Sequence, residues 1–239
     1  VVAASANVVD LLKRKGKPYI MRIELAATLP ATISLLTTEI TFENQSVIAS
    51  LWDEQLNPLM AQMRQSDTLE TIKDNPAIVA TKAAYRQLGK DPSRFRPASD
   101  SLWRRVVKGQ GLYQVNGLVD LNNYLSLRHH LPFGSYDLDT LQGDLRLTTG
   151  AAGETYPGIG KRAINLEHLL VLADDAGPFG SPTSDSTRAM ITEETQRALV
   201  VGYGFDVSAH VQTQVQHQVA ELAQRYLPHC VVTAQTIIQ

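Results

Sequence analysis

The sequence predicts an α+β chain: a single mixed domain, with helices mainly in the first half and a strand-rich second half. Three observations predict it. Before about residue 130, apolar residues recur at helical spacing in several segments. Beyond it, short runs alternate apolar and polar residues, or are continuously apolar, between clusters of Gly, Pro and Asp. No internal repeat, low-complexity tract or long linker divides the 239 residues, a length that can bury a sizeable core. The domain is expected over residues 21–239. Residues 1–20 are read as an N-terminal extension, because Met21 is a natural start and no Met precedes it.

The elements follow in order. "ISLLTTEITF" is rich in β-branched residues and reads as a strand from Ile33 to Phe42. "SVIASLWDEQLNPLMAQM" places Ile48, Leu51, Trp52, Leu56, Leu59 and Met63 near helical spacing, with Pro58 a break or kink. Asn75 and Pro76 are cap and first-turn signals for a helix that ends at Gly89. "KDPSRFRPAS" is a Pro-containing loop, followed by a short helix from Ser99 to Lys108 that Gly109 closes. Asn116 caps a further helix, with Asp120 in the first turn where the helix dipole favours it, and Pro132 stops it. "GDLRLTTG", "LEHLLVLADD", "ALVVGYGFD" and "HCVVTAQTII" read as strands. Between the last two, Ser208 starts a helix with Val211, Val215, Val219, Leu222 and Tyr226 on one face.

Composition excludes several classes. Apolar residues make up 44% and charged residues 19%, ordinary for a globular chain, and no apolar run reaches the ~18–20 residues of a membrane span. The opening is not a convincing signal peptide, since its basic residues follow the apolar stretch, so a cytoplasmic protein is expected. One cysteine, Cys230, cannot form an internal disulfide and reads as a small buried hydrophobe. There is no Gly-rich phosphate loop, no HExxH or paired-Cys zinc spacing and no Gly-x-Ser-x-Gly elbow. No metal, no cofactor and no standard Ser or Cys nucleophile is therefore expected.

The net charge of −2 hides an asymmetry. From Lys82 to Lys108, eight basic residues face Asp91 and Asp100, a local balance of +6 that leaves −8 on the remainder. Such a block is either a solvated helix face or the footprint of a polyanionic partner. Arg94, Arg96, Arg104, Arg105 and Lys108 are the candidates to meet phosphates, with Phe95 either stacked on a base or buried.

"NGLVDLNNYLSLRHHLPFGSYDLD" reads two ways. Leu118, Leu121 and Leu125, with Val119 and Tyr124, supply a core stripe, while Asn122, Ser126 and His129 or His130 line a different face. That polar face is either solvated or one wall of a site. Asp137 and Asp139, two apart on an extended segment, would point to opposite faces and make a poor acid/base pair. Tyr136 suits core or pocket, and Asp174 and Asp175 read as an ordinary turn.

The run "NGLVDLNNYLSLRHHLPFGSYDLDTL" resembles the B3/B4 domain, the tRNA-binding and editing domain of the bacterial phenylalanyl-tRNA synthetase beta subunit. The resemblance continues through "LVLADDAGPFG", which looks like the family's strand and acidic turn, and through "AYRQLGKDPSRFRPASDSLWRRVVKGQGL" and "SDSTRAMITEETQRALVVGYG", which are similar to free-standing proteins made of that domain, and it covers residues 83–204. It implies binding of aminoacyl-tRNA and hydrolysis of the ester of a mischarged species in trans, without a covalent nucleophile. That chemistry needs a side-chain pocket, groups that orient a water and donors for the oxyanion. By the resemblance, Asn122 stands where editing enzymes have a threonine in "VDVTNY", and Gly134 where they have a histidine in "PLHAFD". The family's glycine-rich loop with its glutamate is replaced by "GSPTSDSTRAM". These departures remove three polar groups of the editing site. The expected catalytic set is therefore Asn122, Ser126 and Asp185, with a pocket for the amino-acid moiety formed by Asn123, His129, Gly134, Tyr136, Ser184, Thr187 and Arg188. The alternative is a non-catalytic module that binds RNA or an amino acid.

Overall fold

The computed structural model describes residues 21–160 and 163–239; the expected extension, residues 1–20, lies outside the described residues. The spine is a pair of nine-residue antiparallel strands, β2 (Ile33–Thr41) and β9 (Arg197–Phe205), in register from Ile33 opposite Phe205 to Thr41 opposite Arg197. β10 (Val231–Ile238) flanks β2 and β3 (Phe133–Asp137) flanks β9, giving the order β10-β2-β9-β3, all antiparallel. Both faces of this sheet are covered, which is why "ALVVGYGF" reads as continuously apolar. The pleat sends Leu36, Ile40, Phe133, Ala198 and Val200 into one core and Ile33, Leu35, Tyr136, Leu199, Val201, Tyr203 and Phe205 into another.

Helices fill the first core. α1 is one helical run, Ala49–Leu51, Trp52–Leu56 and Asn57–Ser66, whose middle segment is π-helical. The expected break at Pro58 does not occur. Pro58 has no N–H and its ring crowds the carbonyl four residues back, and the wider π turn just before it absorbs both without ending the helix. α2 (Leu69–Asp74) carries a reciprocal cap between Thr68 and Thr71. α3 (Pro76–Gln87) starts on Asn75, whose side chain accepts from the N–H groups of Ala77 and Ile78. α4 (Ala98–Val107) ends before Gly109 at φ +74°. α5 (Gly117–His129) is capped by Asn116, which accepts from the Val119 N–H at 3.0 Å.

α6 (Ala209–Tyr226) begins at Ser208 as expected, but the serine side chain makes no cap bond. Val211, expected on the buried face, is 41% exposed. Gln212 takes the buried place and donates to Ser34 Oγ and the Val207 carbonyl, so a partnered amide fills the position beside the apolar stripe.

The second core lies against a smaller sheet of β1 (Ile23–Leu25), β4 (Leu145–Thr149), β7 (Leu170–Asp174) and β8 (Gly177–Gly180), in the order β1-β4-β7-β8. A two-stranded hairpin, β5 (Thr155–Pro157) and β6 (Ala163–Asn165), sits beside it. Helices thus come mainly first and strands later, with β1, β2 and α6 crossing that division. Asp139 is not on an extended segment. It lies in a 3-10 turn, Leu138–Thr140, that Asp137 caps by accepting the Asp139 N–H at 2.9 Å. Among the described residues, no helix is long and apolar enough to cross a membrane.

Two glycines let Tyr136 join the sheets. A Cβ on Gly134 would fall 2.5 Å from the Tyr136 hydroxyl, and one on Gly180 would fall 2.4 Å from its ring. The tyrosine therefore lies along its own strand and against the backbone of β8. Gly180→Ala should destabilise the protein by about 1–3 kcal/mol, the usual cost of overpacking, measured as a fall in the urea unfolding midpoint with unchanged slope.

Candidate functional site

Where the two sheets meet, a loop from Ser181 to Ser186 leaves β8 and folds back under Tyr136. Ser181 organises it: its hydroxyl donates to the Ser184 carbonyl and accepts from the N–H groups of Thr183 and Ser184. This holds Asp185 so that Oδ1 accepts from the Ser181 N–H at 2.9 Å and from the Tyr136 hydroxyl at 2.9 Å. The Tyr136 oxygen is also 2.6 Å from that of Tyr203 on β9. Tyr85 of α3 bonds Thr183 at 2.8 Å, and Tyr156 of β5 donates to the Ser184 carbonyl at 2.6 Å. Four tyrosines from four elements thus surround one carboxylate.

Burial pushes the Asp185 carboxyl up to about 6, against the lowering effect of the Ser181 N–H and the Tyr136 hydroxyl. The same desolvation, with the charge of Asp185, raises all four tyrosines, so they remain neutral donors. Asp185 Oδ2 accepts no hydrogen bond from the described residues and faces Gly134, 3.3 Å from where a Cβ would be. A carboxylate with one oxygen fixed, one oxygen open and a pKa near neutrality is equipped to take and return a proton.

The other expected residues are distributed differently. Asn122 and Ser126 are buried, so the polar face of α5 is not solvated. Asn122 donates to Ser135 Oγ at 2.6 Å, Ser126 Oγ accepts from the Phe133 N–H at 3.1 Å, and Asn122 Oδ1 is buried without a partner among the described residues. Ser135 alternates with Gly134 and Tyr136 along β3, so Asn122 meets one face of that strand and Asp185 the other. His129 lines a separate cleft with Leu131, Phe205 and Val215, and burial lowers its imidazole to about 4. Ser184 contributes its backbone, and Thr187, itself exposed, opens a 3-10 turn, Thr187–Ala189, whose last residue is buried.

Arg188 does not pair with Asp185. It forms a two-pronged bond to Asp174, at 3.0 and 2.8 Å, and donates to the Gly177 carbonyl, which ties the turn between β7 and β8 to the loop. Asp174 is accordingly more than a turn residue.

The basic segment forms two clefts. One, of about 530 Å³, is lined by Lys73, Lys82, Arg86, Arg96 and Arg104 together with Asp74 and Asp91. Asp100, fully buried beside it, pairs with Lys82 at 2.8 Å, with Arg104, and with Arg96 at 3.8 Å. The other, of about 410 Å³, is lined by Arg94, Arg96, Ser101, Leu102, Asn123 and Thr183. Neither is lined by Asn122, Ser126 or Asp185, but Thr183 places the second cleft two residues from Asp185 on the same loop. Phe95 is half-buried, with the Lys90 ammonium 3.8 Å over its ring, so that face is not open to a base. Arg105 donates to the Gly111 carbonyl at 2.6 Å, and Lys108 is exposed.

Sequence reasoning missed Tyr85, Tyr156, Tyr203, Ser181 and Thr183. Tyr203 alternates with Val201 and Phe205 and so reads as core; the one usable signal was the pair of glycines at 134 and 180, each demanding a close approach. Among the described residues, no group of three His, Cys, Asp or Glu side chains converges as a metal site would require.

A family model described as the B3/4 domain matches residues 80–236. The chain belongs to the B3/4 domain family. Its curated relatives include phenylalanine–tRNA ligase beta subunits from Chromobacterium violaceum (27% identical over 55% of this chain and 17% of the subunit), Leifsonia xyli (29% over 57% and 16%) and Ruegeria pomeroyi (32% over 37% and 11%). The chain therefore spans less than a fifth of these relatives' length. A similar solved structure, an N-terminal fragment of the phenylalanyl-tRNA synthetase beta subunit from Pyrococcus horikoshii, aligns over 91% of this chain and 50% of its own at 9% identity and a TM-score of 0.43.

Because the folded carboxyl is raised, ionising Asp185 costs stability: the penalty is absent below the unfolded value near 3.8 and complete above about 6. Asp185→Asn, which keeps an acceptor oxygen, should raise the melting temperature at pH 7.5, with the difference from wild type vanishing near pH 4. A melting series from pH 4 to 8 checks this.

Proposed function

We propose that this protein binds aminoacyl-tRNA and hydrolyses the ester of a mischarged species in trans, apart from a synthetase. The observation that carries the reading is Asp185, a near-neutral carboxylate with one fixed and one open oxygen, two residues from a cleft that Arg94 and Arg96 line. Membership of the B3/4 family and relatives named as phenylalanine–tRNA ligase beta subunits support it.

In this reading the arginines hold phosphates of the tRNA end, and the aminoacyl ester lies past Thr183 against the loop. Asp185 Oδ2 takes a proton from a water as the water oxygen attacks the ester carbonyl. Thr183 lines the cleft, and its hydroxyl, bonded to Tyr85, is assigned in this reading as the donor to the developing oxyanion. Collapse breaks the bond to the ribose oxygen, which receives the proton from Asp185, releasing free amino acid and tRNA. Asn123, Gly134, Tyr136 and Ser184 frame the site; Asn122 and Ser126 brace β3 from its other face, and Arg188 fixes the loop's far end.

One observation favours the second reading, a binding module without catalysis. The space above Gly134, where the editing pattern has a histidine, holds the Tyr136 hydroxyl.

A deacylation screen decides. Purified protein is incubated with tRNA charged with each correct and near-cognate amino acid, beside spontaneous ester loss. Selective acceleration is expected for one mischarged species, rising with pH through about 6 as Asp185 ionises and then flat; Asp185→Asn should abolish it. No acceleration of any species leaves the binding module.

Replacing Arg94 and Arg96 together by Ala should weaken tRNA binding and lower the slope of log K against log salt by roughly one per lost phosphate contact. Fluorescence anisotropy of labelled tRNA across a salt series measures it.

A further inference from the structure

The second cleft is lined by one side of α4, at Ala98, Ser101 and Leu102. Residues three, four and seven apart share a helix face, so Arg105 and Lys108 continue that side beyond the cleft. Arg105 is held there by the Gly111 carbonyl, and its guanidinium lies 4.3 Å from the ring centre of Tyr113. Tyr113 is 72% exposed. Every other tyrosine, phenylalanine and tryptophan among the described residues is buried or half-buried. The single exposed aromatic therefore stands at the end of the basic helix, one face backed by a cation and the other open.

We propose that Tyr113, backed by Arg105, is a stacking platform for an unpaired base of the bound RNA; this rests on the tRNA reading above. Aromatic rings stack on any base, and an adjacent arginine adds a cation–π contribution and a phosphate partner. The spacing fits a single strand. From Ser101 or Ala98 to Arg105 the helix rises about 6 to 10 Å, the rise of two or three stacked nucleotides at about 3.4 Å each. A strand whose last nucleotide lies in the cleft near Thr183 would thus reach Tyr113 with a base two or three positions back, within the unpaired 3′ tail of a tRNA. Gly109 and Gly111, at φ +74° and +66°, shape the loop that carries the ring outward.

The test is anisotropy with fluorescently labelled uncharged tRNA, intact or trimmed of its four unpaired 3′ nucleotides. Tyr113→Ala should bind intact tRNA about 5- to 30-fold more weakly, the usual effect of losing one aromatic–base stack. It should match wild type on trimmed tRNA, keep the wild-type salt slope and melt within about a degree of wild type, as expected for an exposed side chain. Tyr113→Phe should restore binding. Equal binding of intact tRNA by Tyr113→Ala and wild type overturns the platform and leaves the tRNA reading standing. An equal loss on intact and trimmed tRNA overturns the assignment to the unpaired tail. No binding of either tRNA by wild type overturns both the platform and the reading beneath it.

Discussion

The structure depends on one hydroxyl. Tyr136 stands on the edge strand of the larger sheet, its ring packed against the backbone of Gly180 on the smaller one and set edge-on to Phe179 at 4.9 Å. Its oxygen lies 2.6 Å from Tyr203 and donates to Asp185. Buried hydroxyls cost free energy unless paired. This one is paired twice, and the second partner is the carboxylate that the loop after β8 exists to present. Sheet packing, loop position and the ionisation of Asp185 are thus linked through a single side chain. Small changes at Gly134 or Gly180 reach the carboxylate by displacing the ring.

Two enclosed acids show how environment divides roles. Asp100 is fully buried, yet Lys82, Arg96 and Arg104 surround it, so its charge organises the basic cleft from beneath. Asp185 has neutral hydroxyls and a backbone N–H around it and pairs with no cation among the described residues, so burial dominates and its carboxyl rises toward neutrality. Arg188, three residues on, does not relieve it, because Asp174 and the Gly177 carbonyl already engage the guanidinium. That arrangement keeps the loop anchored while leaving the charge of Asp185 uncompensated.

What the sequence revealed was local. Asn75 and Asn116 cap the helices their spacing implies, and the apolar runs at β2 and β9 are the central strands. The errors share a cause, which is that pattern reading sees neighbours in sequence only. Asp185 was noticed through Ser184, Thr187 and Arg188, but its partners are Tyr136, 49 residues away, and Ser181. Asn122 and Asp185 were placed in one set, yet the pleat of β3 gives each a different face. Val211 and Gln212 exchanged places because a glutamine with two partners can be buried, and apolar spacing alone does not foresee a partner. The tyrosine cluster was hidden in strands whose tyrosines read as ordinary core.

Gly134, Tyr136 and Asp185 are coupled to one another. A histidine side chain at position 134 would occupy the space where Tyr136 and Asp185 lie, since even a Cβ there meets the tyrosine oxygen at 2.5 Å. Glycine at 134, tyrosine at 136 and aspartate at 185 are therefore mutually dependent: the ring fills the space above the glycine and holds the carboxylate beside it. Asn122 lies on the other face of the strand: its amide bonds Ser135, adjacent to Gly134, and leaves Oδ1 buried and without a partner among the described residues. An orphaned acceptor of that kind is costly unless something donates to it.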